Sequence, residues 1–201
     1  IRWFARINSL GNAAGISPLT VALVLIATGA GLVGTSSFAA SKAVVDTSAS
    51  PNVKFRPIDL DAARWTSGFW GDRWEVNRRV TVPTMKEVME LPTNSATFHN
   101  LRVAAGQIQG KFLGNNWSDG DCYKWIEAAA SVYCLTRDPE LDRQMDEVIA
   151  VIAKAQAPDG YISTQIQLTY KGRWTNLNHH ELYNIGHLLT AACVHHRMTG
   201  K

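Results

Sequence analysis

Outside the N-terminal quarter of the chain, hydrophobic residues recur at helical spacing. From Asp119 to about Thr136 they follow the i, i+3, i+4, i+7 and i+11 spacing that marks one face of a helix. Asp138 and Pro139 then supply an N-cap and a proline at the first helical position, which predicts another helix to about Gln156. Connections this short are typical of antiparallel helix pairs, so the pattern predicts an all-α fold.

Other segments have less regular patterns. Trp70 to about Leu91 has a helical pattern broken by Pro83, which predicts either a kink or the start of a second helix. Thr97 to Gly106 predicts a short helix that ends at its glycine. Ile162 to Tyr170 is rich in Ile, Thr and Tyr and predicts a strand or an extended arm. His179 to Met198 predicts the final helix.

The first 43 residues differ from the rest of the chain. Arg2 and Arg6 precede an apolar run from Leu19 to Val33, and small residues follow it. This order predicts a secretory signal peptide over residues 1–43, with an uncleaved anchor as the alternative. Residues 44–54 are predicted to be a small, polar linker. The predicted location is therefore secreted or periplasmic, without stable membrane association after cleavage.

The net charge of +3 comes from this leader, which holds Arg2, Arg6 and Lys42 and no acidic residue. The remaining residues are therefore neutral overall, and no basic patch indicates a nucleic-acid partner. The three cysteines, none in a Cys-x-x-Cys pair, are predicted to be buried small apolar side chains.

The final predicted helix carries an unusual polar face. At about 100° per residue, His180, Tyr183 and His187 fall within roughly 60° of one another. The opposite face, which a core would take, gathers Leu182, Ile185, Leu189 and Ala192. The His and Tyr face predicts either a ligand-lined cavity or a histidine-rich surface.

Metal binding by this helix is not predicted. His180-Glu181 matches the opening of the zinc-protease motif, in which a second imidazole stands four residues after the first. Asn184 occupies that position. We therefore expect no metal ligand on this helix.

Asp119 and Asp121 flank Gly120 at the start of another predicted helix. For Asp119, capping and a favourable interaction with the helix dipole are the favoured interpretation. Asp121 lies one turn before Lys124 and beside Trp125, and these three side chains could line a sugar pocket.

Tryptophan supplies the remaining candidates for recognition. Trp70 and Trp74 are expected in the core, whereas Trp117 and Trp174, in loops rich in Gly and Asn, are the better functional candidates.

Five blocks of the sequence form a pattern over the part of the chain from about residue 55 to the end. The blocks are Phe69 to Arg73, Asn100 to Gly106, Asp119 to Ala128, Ala155 to Thr164, and His180 to Tyr183 followed by Gly186 and His187. Together, and in this order, they resemble the family 127 glycoside hydrolases, the β-L-arabinofuranosidases. Gly120 and Cys122 depart from the Ser and Val more common there, which leaves the exact sugar open.

The resemblance implies that residues 55–201 are the N-terminal part of an (α/α)6-barrel catalytic domain. It also implies retaining hydrolysis by a cysteine thiolate held on zinc, with the nucleophile and the zinc ligands beyond Lys201. No catalytic residue, metal ligand or cofactor is therefore expected in residues 1–201. From the family, His180 carries over as a residue of the sugar pocket. The full set of predicted substrate-binding residues is His180, Tyr183, His187, Asp121 and Trp125.

The predicted function is that of an exported retaining glycoside hydrolase. Its substrate would be an arabinose-containing glycan, from which it releases L-arabinofuranose or a related sugar. The alternative is a secreted helical remnant that binds carbohydrate or acts as a scaffold without catalysis. The 201-residue chain alone is predicted to be inactive, because the nucleophile would be absent.

Overall fold

The computed structural model describes residues 43–201, so the predicted signal peptide lies outside the described residues apart from Ala43. From residue 44 to residue 58 the chain forms turns and is largely exposed. Ala43 is buried, and its carbonyl accepts a hydrogen bond of 2.9 Å from Arg197.

All the regular elements in the described residues are helical, which confirms the all-α prediction. Among these helices, none combines the length and the apolar character needed to cross a membrane. The helices are α1 (Gly68–Val76), α2 (Val82–Glu90), α3 (Thr97–Ala104), α4 (Ser118–Thr136), α5 (Pro139–Ala155), α6 (Thr164–Thr169) and α7 (Glu181–Thr199).

A π-helical turn at Asn77–Thr81 joins α1 to α2. Val76 and Val82, which flank the turn, both keep right-handed helical backbone angles, so the two helices form one continuous rod. Pro83 lacks an amide hydrogen and would clash inside a regular helix, and the wide turn just before it accommodates the proline. The structure therefore agrees with the second of the predicted alternatives: Pro83 lies in the first turn of a second helix, α2, which follows directly on the π-helical turn.

Helices α4 and α5 follow the prediction closely. Asp138 caps α5, since its carboxylate accepts hydrogen bonds from the backbone N–H groups of Glu140 and Leu141. Pro139 is the first helical residue, as predicted.

The prediction of a strand or extended arm at residues 162–170 is wrong, because Thr164–Thr169 form α6. The backbone N–H and the hydroxyl of Thr164 both donate to the Asp119 carboxylate, at 2.8 and 2.6 Å. Ile166 is buried against the rest of the fold. These contacts with distant residues outweigh the strand preference of the local composition.

The core lies where α4 packs along α7, with α2, α3 and α5 around α4. The predicted core face of α7 is wrong: Leu182 and Leu189 are 70% and 62% exposed, and Ala192 is exposed too. The buried face of α7 carries Glu181, Asn184, Ala191, Val194, His195 and Met198.

Two further core predictions also need correction. Trp70 is 63% exposed, whereas Trp74 packs partly against the core as expected. Cys193 is exposed, while Cys122 and Cys134 are buried. Cys193 lies on the outward side of α7, next to Ala192, and for this reason it misses the core.

Candidate functional site

A row of four aromatic rings runs along the start of α7 and the loop before α4. The ring of Trp117 lies 5.4 Å from that of His180, which lies 5.9 Å from the ring of Tyr183. Tyr183 in turn lies 4.7 Å from His187, and all three contacts are edge to face. The structure thus brings together His180, Tyr183 and His187, and adds Trp117. We call these four residues the aromatic row.

His180 joins the row from just outside α7. It is the N-cap of that helix, with a left-handed backbone (φ 57°), and it follows a short 3-10 helix at Leu177–His179. Its Nδ1 lies 2.8 Å from the carbonyl oxygen of Asn178, which fixes the orientation of the ring. The sequence analysis placed His180 inside the helix and derived the shared face from helical spacing. That spacing applies only from Glu181 onward, because α7 begins there.

Lys124 links the aromatic row to the predicted site residue Asp121. Its ammonium group donates a 2.6 Å hydrogen bond to the Tyr183 hydroxyl and lies 3.5 Å from the Asp121 carboxylate. Burial pulls the pKa of Lys124 down, but the Tyr183 and Asp121 contacts outweigh it and raise the pKa above its ordinary value. Lys124 therefore presents a positive charge beside the row.

Asp121 and Lys124 also line a groove of about 260 Å³ beside α2. Its other walls are mainly apolar: Thr84, Met85, Val88, Met89 and Ser95. The aromatic row and this groove therefore share a border at Lys124. Such a combination of apolar walls with a few polar groups is typical of small-molecule sites.

Asn184 holds the aromatic row in place from beneath. It is buried, its side-chain oxygen accepts a 3.0 Å hydrogen bond from the Gly120 amide, and its nitrogen donates to the Asn116 carbonyl at 2.9 Å. A Cβ at Gly120 would lie 2.9 Å from the Asn184 side-chain oxygen and 3.1 Å from the Tyr183 ring. Gly120 therefore permits the close approach of α4 to α7.

Asp119 supports the site in a different way from the one predicted. It does not cap α4: the residue before that helix, Trp117, makes no side-chain capping bond, and Asp119 lies within the first turn. Its buried carboxylate instead accepts the two hydrogen bonds from Thr164. Burial raises the pKa of Asp119, and the hydrogen bonds from Thr164 oppose that shift.

Glu181 positions the loop that carries Trp174. One of its carboxylate oxygens accepts a hydrogen bond from the Tyr161 hydroxyl, and the other accepts one of 2.8 Å from the Trp174 backbone N–H. The Trp174 ring also packs edge to face on Tyr161, 5.6 Å away. This role could not be predicted from the sequence, because the partners of Glu181 lie 7 and 20 residues away.

Trp125, the fifth predicted substrate-binding residue, is placed apart from the others. It is 0% exposed, and its indole N–H donates a 3.0 Å hydrogen bond to the Val82 carbonyl. In this structure Trp125 fixes α4 against α2 as part of the core. We leave it out of the candidate site because it has no surface that a ligand could contact.

Comparison with known proteins agrees with the helical fold. The profile of the β-L-arabinofuranosidase GH127 catalytic domain matches residues 62–201. The chain therefore belongs to this family of glycoside hydrolases, which confirms the resemblance found in its sequence.

A curated relative from Bifidobacterium longum subsp. longum is a non-reducing end β-L-arabinofuranosidase, 39% identical over 108 residues. That match covers 50% of this chain and 16% of the relative. Among solved structures, a GH127 β-L-arabinofuranosidase from Geobacillus stearothermophilus T6 has a TM-score of 0.65 and 39% identity, over 69% of this chain and 23% of that chain. A second GH127 β-arabinofuranosidase has a TM-score of 0.63 and 31% identity, over 24% of its own length.

The thiolate-bound zinc implied by the resemblance does not fit residues 43–201. Cys122 and Cys134 are buried, and burial raises the pKa of the Cys122 thiol, which favours the protonated form. Within the described part of the chain, the one group of potential metal ligands contains no cysteine. No step of a reaction is therefore assigned to zinc here.

Proposed function

We propose that this chain is part of an exported retaining glycoside hydrolase that releases L-arabinofuranose, or a related sugar, from arabinose-containing glycans. In this proposal the aromatic row and Lys124 form part of the sugar site. Membership of the GH127 family supports the reaction class. The chain spans less than a quarter of the length of each of the three relatives named above, so the activity of the whole protein is inferred from those relatives.

The observation that carries the assignment of the site is the contact between Lys124 and Tyr183. A charged ammonium and a phenol that share a hydrogen bond of 2.6 Å offer both donors and acceptors to sugar hydroxyls. The rings of Trp117, His180 and His187 extend the same surface with flat faces and ring nitrogens. A furanose ring carries C–H groups as well as hydroxyls, and this surface offers partners for both.

For the whole protein we propose, on the resemblance alone, a cysteine nucleophile held on zinc by ligands outside residues 1–201. The expected result is release of p-nitrophenol from p-nitrophenyl β-L-arabinofuranoside by the full-length protein, and its loss on treatment with a zinc chelator. Turnover that persists unchanged after the metal has been removed would contradict this part of the proposal.

Two variants of the full-length protein test the aromatic row. His180→Gly deletes the ring and keeps the left-handed backbone, and Tyr183→Phe removes only the hydroxyl that Lys124 contacts. Each should lower kcat/KM by about tenfold, which corresponds to about 1.4 kcal/mol of transition-state stabilisation. Tyr170→Phe is the matched control, because that residue is exposed and lies in the turn that ends α6.

The same variants distinguish the alternative, a secreted helical remnant that binds carbohydrate without catalysis. If the full-length protein binds arabinofuranosides but shows no turnover, and His180→Gly weakens that binding, the alternative is correct. If both variants match the control in kcat/KM and in binding, the aromatic row is not the sugar site.

A further inference from the structure

A second group of chemically reactive side chains lies at the other end of α7, away from the aromatic row. Asp142 and Asp146 stand one turn apart on α5, and His195 belongs to the last turns of α7. One carboxylate oxygen from each aspartate and one ring nitrogen of His195 all lie within 4.8 Å of one another. The sequence predicted no metal ligand in residues 1–201, because these residues come from two separate helices.

His195 distinguishes this group from an ordinary acidic surface. It is only 7% exposed, and its Nε2 is buried without a hydrogen-bond partner. A buried polar atom without a partner is destabilising, so such an atom in a stable protein calls for a ligand or another explanation.

Lys201 shows that a cation is accepted at this position. Its ammonium nitrogen lies 2.7 Å from a carboxylate oxygen of Asp142 and 2.6 Å from one of Asp146. A single positive group therefore bridges both aspartates. The Lys201 side chain is 40% exposed and unbranched, so it can swing into solvent without disturbing either helix. It makes no contact that satisfies the Nε2 of His195.

We propose that Asp142, Asp146 and His195 form a binding site for a divalent transition-metal cation, and that the Lys201 ammonium is its alternative occupant. Two carboxylates and one imidazole suit Zn²⁺, Mn²⁺ or Co²⁺, and the absence of a thiolate from this group disfavours soft ions such as Cu⁺.

The geometry needs only small side-chain adjustments. Around a four-coordinate ion with bonds of about 2.1 Å, ligand atoms lie about 3.4 Å apart. The three ligand atoms already lie within 4.8 Å of one another, and Asp146, whose side chain is 52% exposed, has room to rotate toward an ion. The bound ion would tie α5 to α7 and would satisfy the buried ring nitrogen. This site is separate from the thiolate zinc proposed for catalysis, and its test depends on metal binding rather than on turnover.

The test uses the full-length protein, stripped of metal and titrated with Co²⁺ while the visible spectrum is recorded. Binding at this site should add one equivalent with d–d bands and without the sulfur-to-cobalt charge transfer that a thiolate site would give. Asp146→Asn should lose that equivalent. Lys201→Gln should bind it at least tenfold more tightly, because the competing ammonium is gone.

Glu147→Gln is the matched control. Glu147 lies next to Asp146 on α5 and is similarly exposed, but it pairs with Arg143 instead. Because Asp146 and Lys201 are both exposed, we expect these variants to fold, and circular dichroism checks that they do. An equal number of Co²⁺ equivalents in the wild type, Asp146→Asn and Glu147→Gln would overturn the proposal. So would a Lys201→Gln variant that binds Co²⁺ no more tightly than the wild type.

Discussion

The two ends of α7 both present histidines, but in opposite physical settings. At the N-terminal end, the rings of His180 and His187 lie in a partly exposed row of aromatic contacts. At the C-terminal end, His195 is buried beside two carboxylates that come from α5. The first setting suits recognition of a neutral polar molecule, and the second suits a cation. The same residue type acquires its chemistry from the helix packed against it.

The two ends also differ in how they are held. Asn184 ties the N-terminal end of α7 to Gly120 and Asn116, and both its side-chain oxygen and its side-chain nitrogen form a hydrogen bond. At the second end, the Nε2 of His195 lacks a hydrogen-bond partner, and the partly exposed side chain of Lys201 supplies the positive charge. The N-terminal end of α7 is therefore held by buried side-chain hydrogen bonds, whereas the C-terminal end is held by an exposed ion pair.

The largest effect is expected from Asn184→Ala. This change removes both hydrogen bonds and leaves the Asn116 carbonyl without this donor, which should cost about 2–4 kcal/mol in the free energy of unfolding. Urea titration measures it, with Thr190→Ala on the exposed side of α7 as the control. A loss no greater than that of the control would mean that Asn184 does not anchor the aromatic row.

Two glycines provide the next comparison. Gly120→Ser would place a Cβ 2.9 Å from the buried Asn184 oxygen and should cost about 1–3 kcal/mol. In Gly186→Ala the new Cβ would have no atom within 4 Å. Because Gly186 lies within α7, where alanine is preferred to glycine, this change should stabilise the fold by about 0.5–1 kcal/mol. Thermal unfolding of both variants should therefore shift in opposite directions. Shifts of the same sign would contradict the close approach of α4 to α7 at Gly120.

A pH dependence is expected from Asp119, whose pKa is raised chiefly by burial. A folded-state pKa above the unfolded value of about 3.9 means that the folded state binds the proton more tightly. Its contribution to stability is therefore full below pH ~3.9 and is lost as the pH rises through the folded pKa. Asp119→Asn lacks this titration.

The measurement for Asp119 is the difference in unfolding free energy between wild type and Asp119→Asn across pH 3 to 7. The wild type should lose stability relative to the variant as the pH rises. A difference that stays constant, or that changes in the wild type's favour, would show that the hydrogen bonds from Thr164 outweigh the burial of the carboxylate.

The smallest effect is expected on the outward side of α7. Leu189→Gln should change the unfolding free energy of the 201-residue chain by less than about 0.5 kcal/mol, because the side chain is 62% exposed. Ala191→Gln is the destabilising control, because Ala191 lies two residues further along α7 and is only 1% exposed. Comparable losses in the two variants would contradict the orientation of α7.

Local signals predicted much of the fold. The start of α5 followed from its aspartate cap and its proline, and α4 was placed within one residue of its observed bounds. The segment at 162–170 was missed because the partner that favours its helical conformation, Asp119, lies 45 residues away. Side-chain hydrogen bonds over such distances leave no trace in hydrophobic periodicity.

The prediction of which face of α7 is buried failed for a related reason. Periodicity assigned the leucines to the core, but Asn184, Glu181 and His195 are the buried residues, each beside residues of other elements. The contact between Tyr183 and His187 was nevertheless predicted, because residues three or four apart on a helix meet wherever the helix points. Relations within one helix could be predicted from the sequence, whereas the direction of that helix could not.

The π-helical turn at Asn77–Thr81 has a consequence for how this protein can be related to others by insertion and deletion. Such a turn holds one residue more than the α-helix that it interrupts, and one residue corresponds to about 100° of rotation. Loss of a single codon here would restore a regular helix and turn α1 by that angle. The exposed aromatic group formed by Trp65, Phe69 and Trp70 would then face a different direction. A length difference of one residue in an alignment at this point would therefore mark a change in surface rather than a harmless gap.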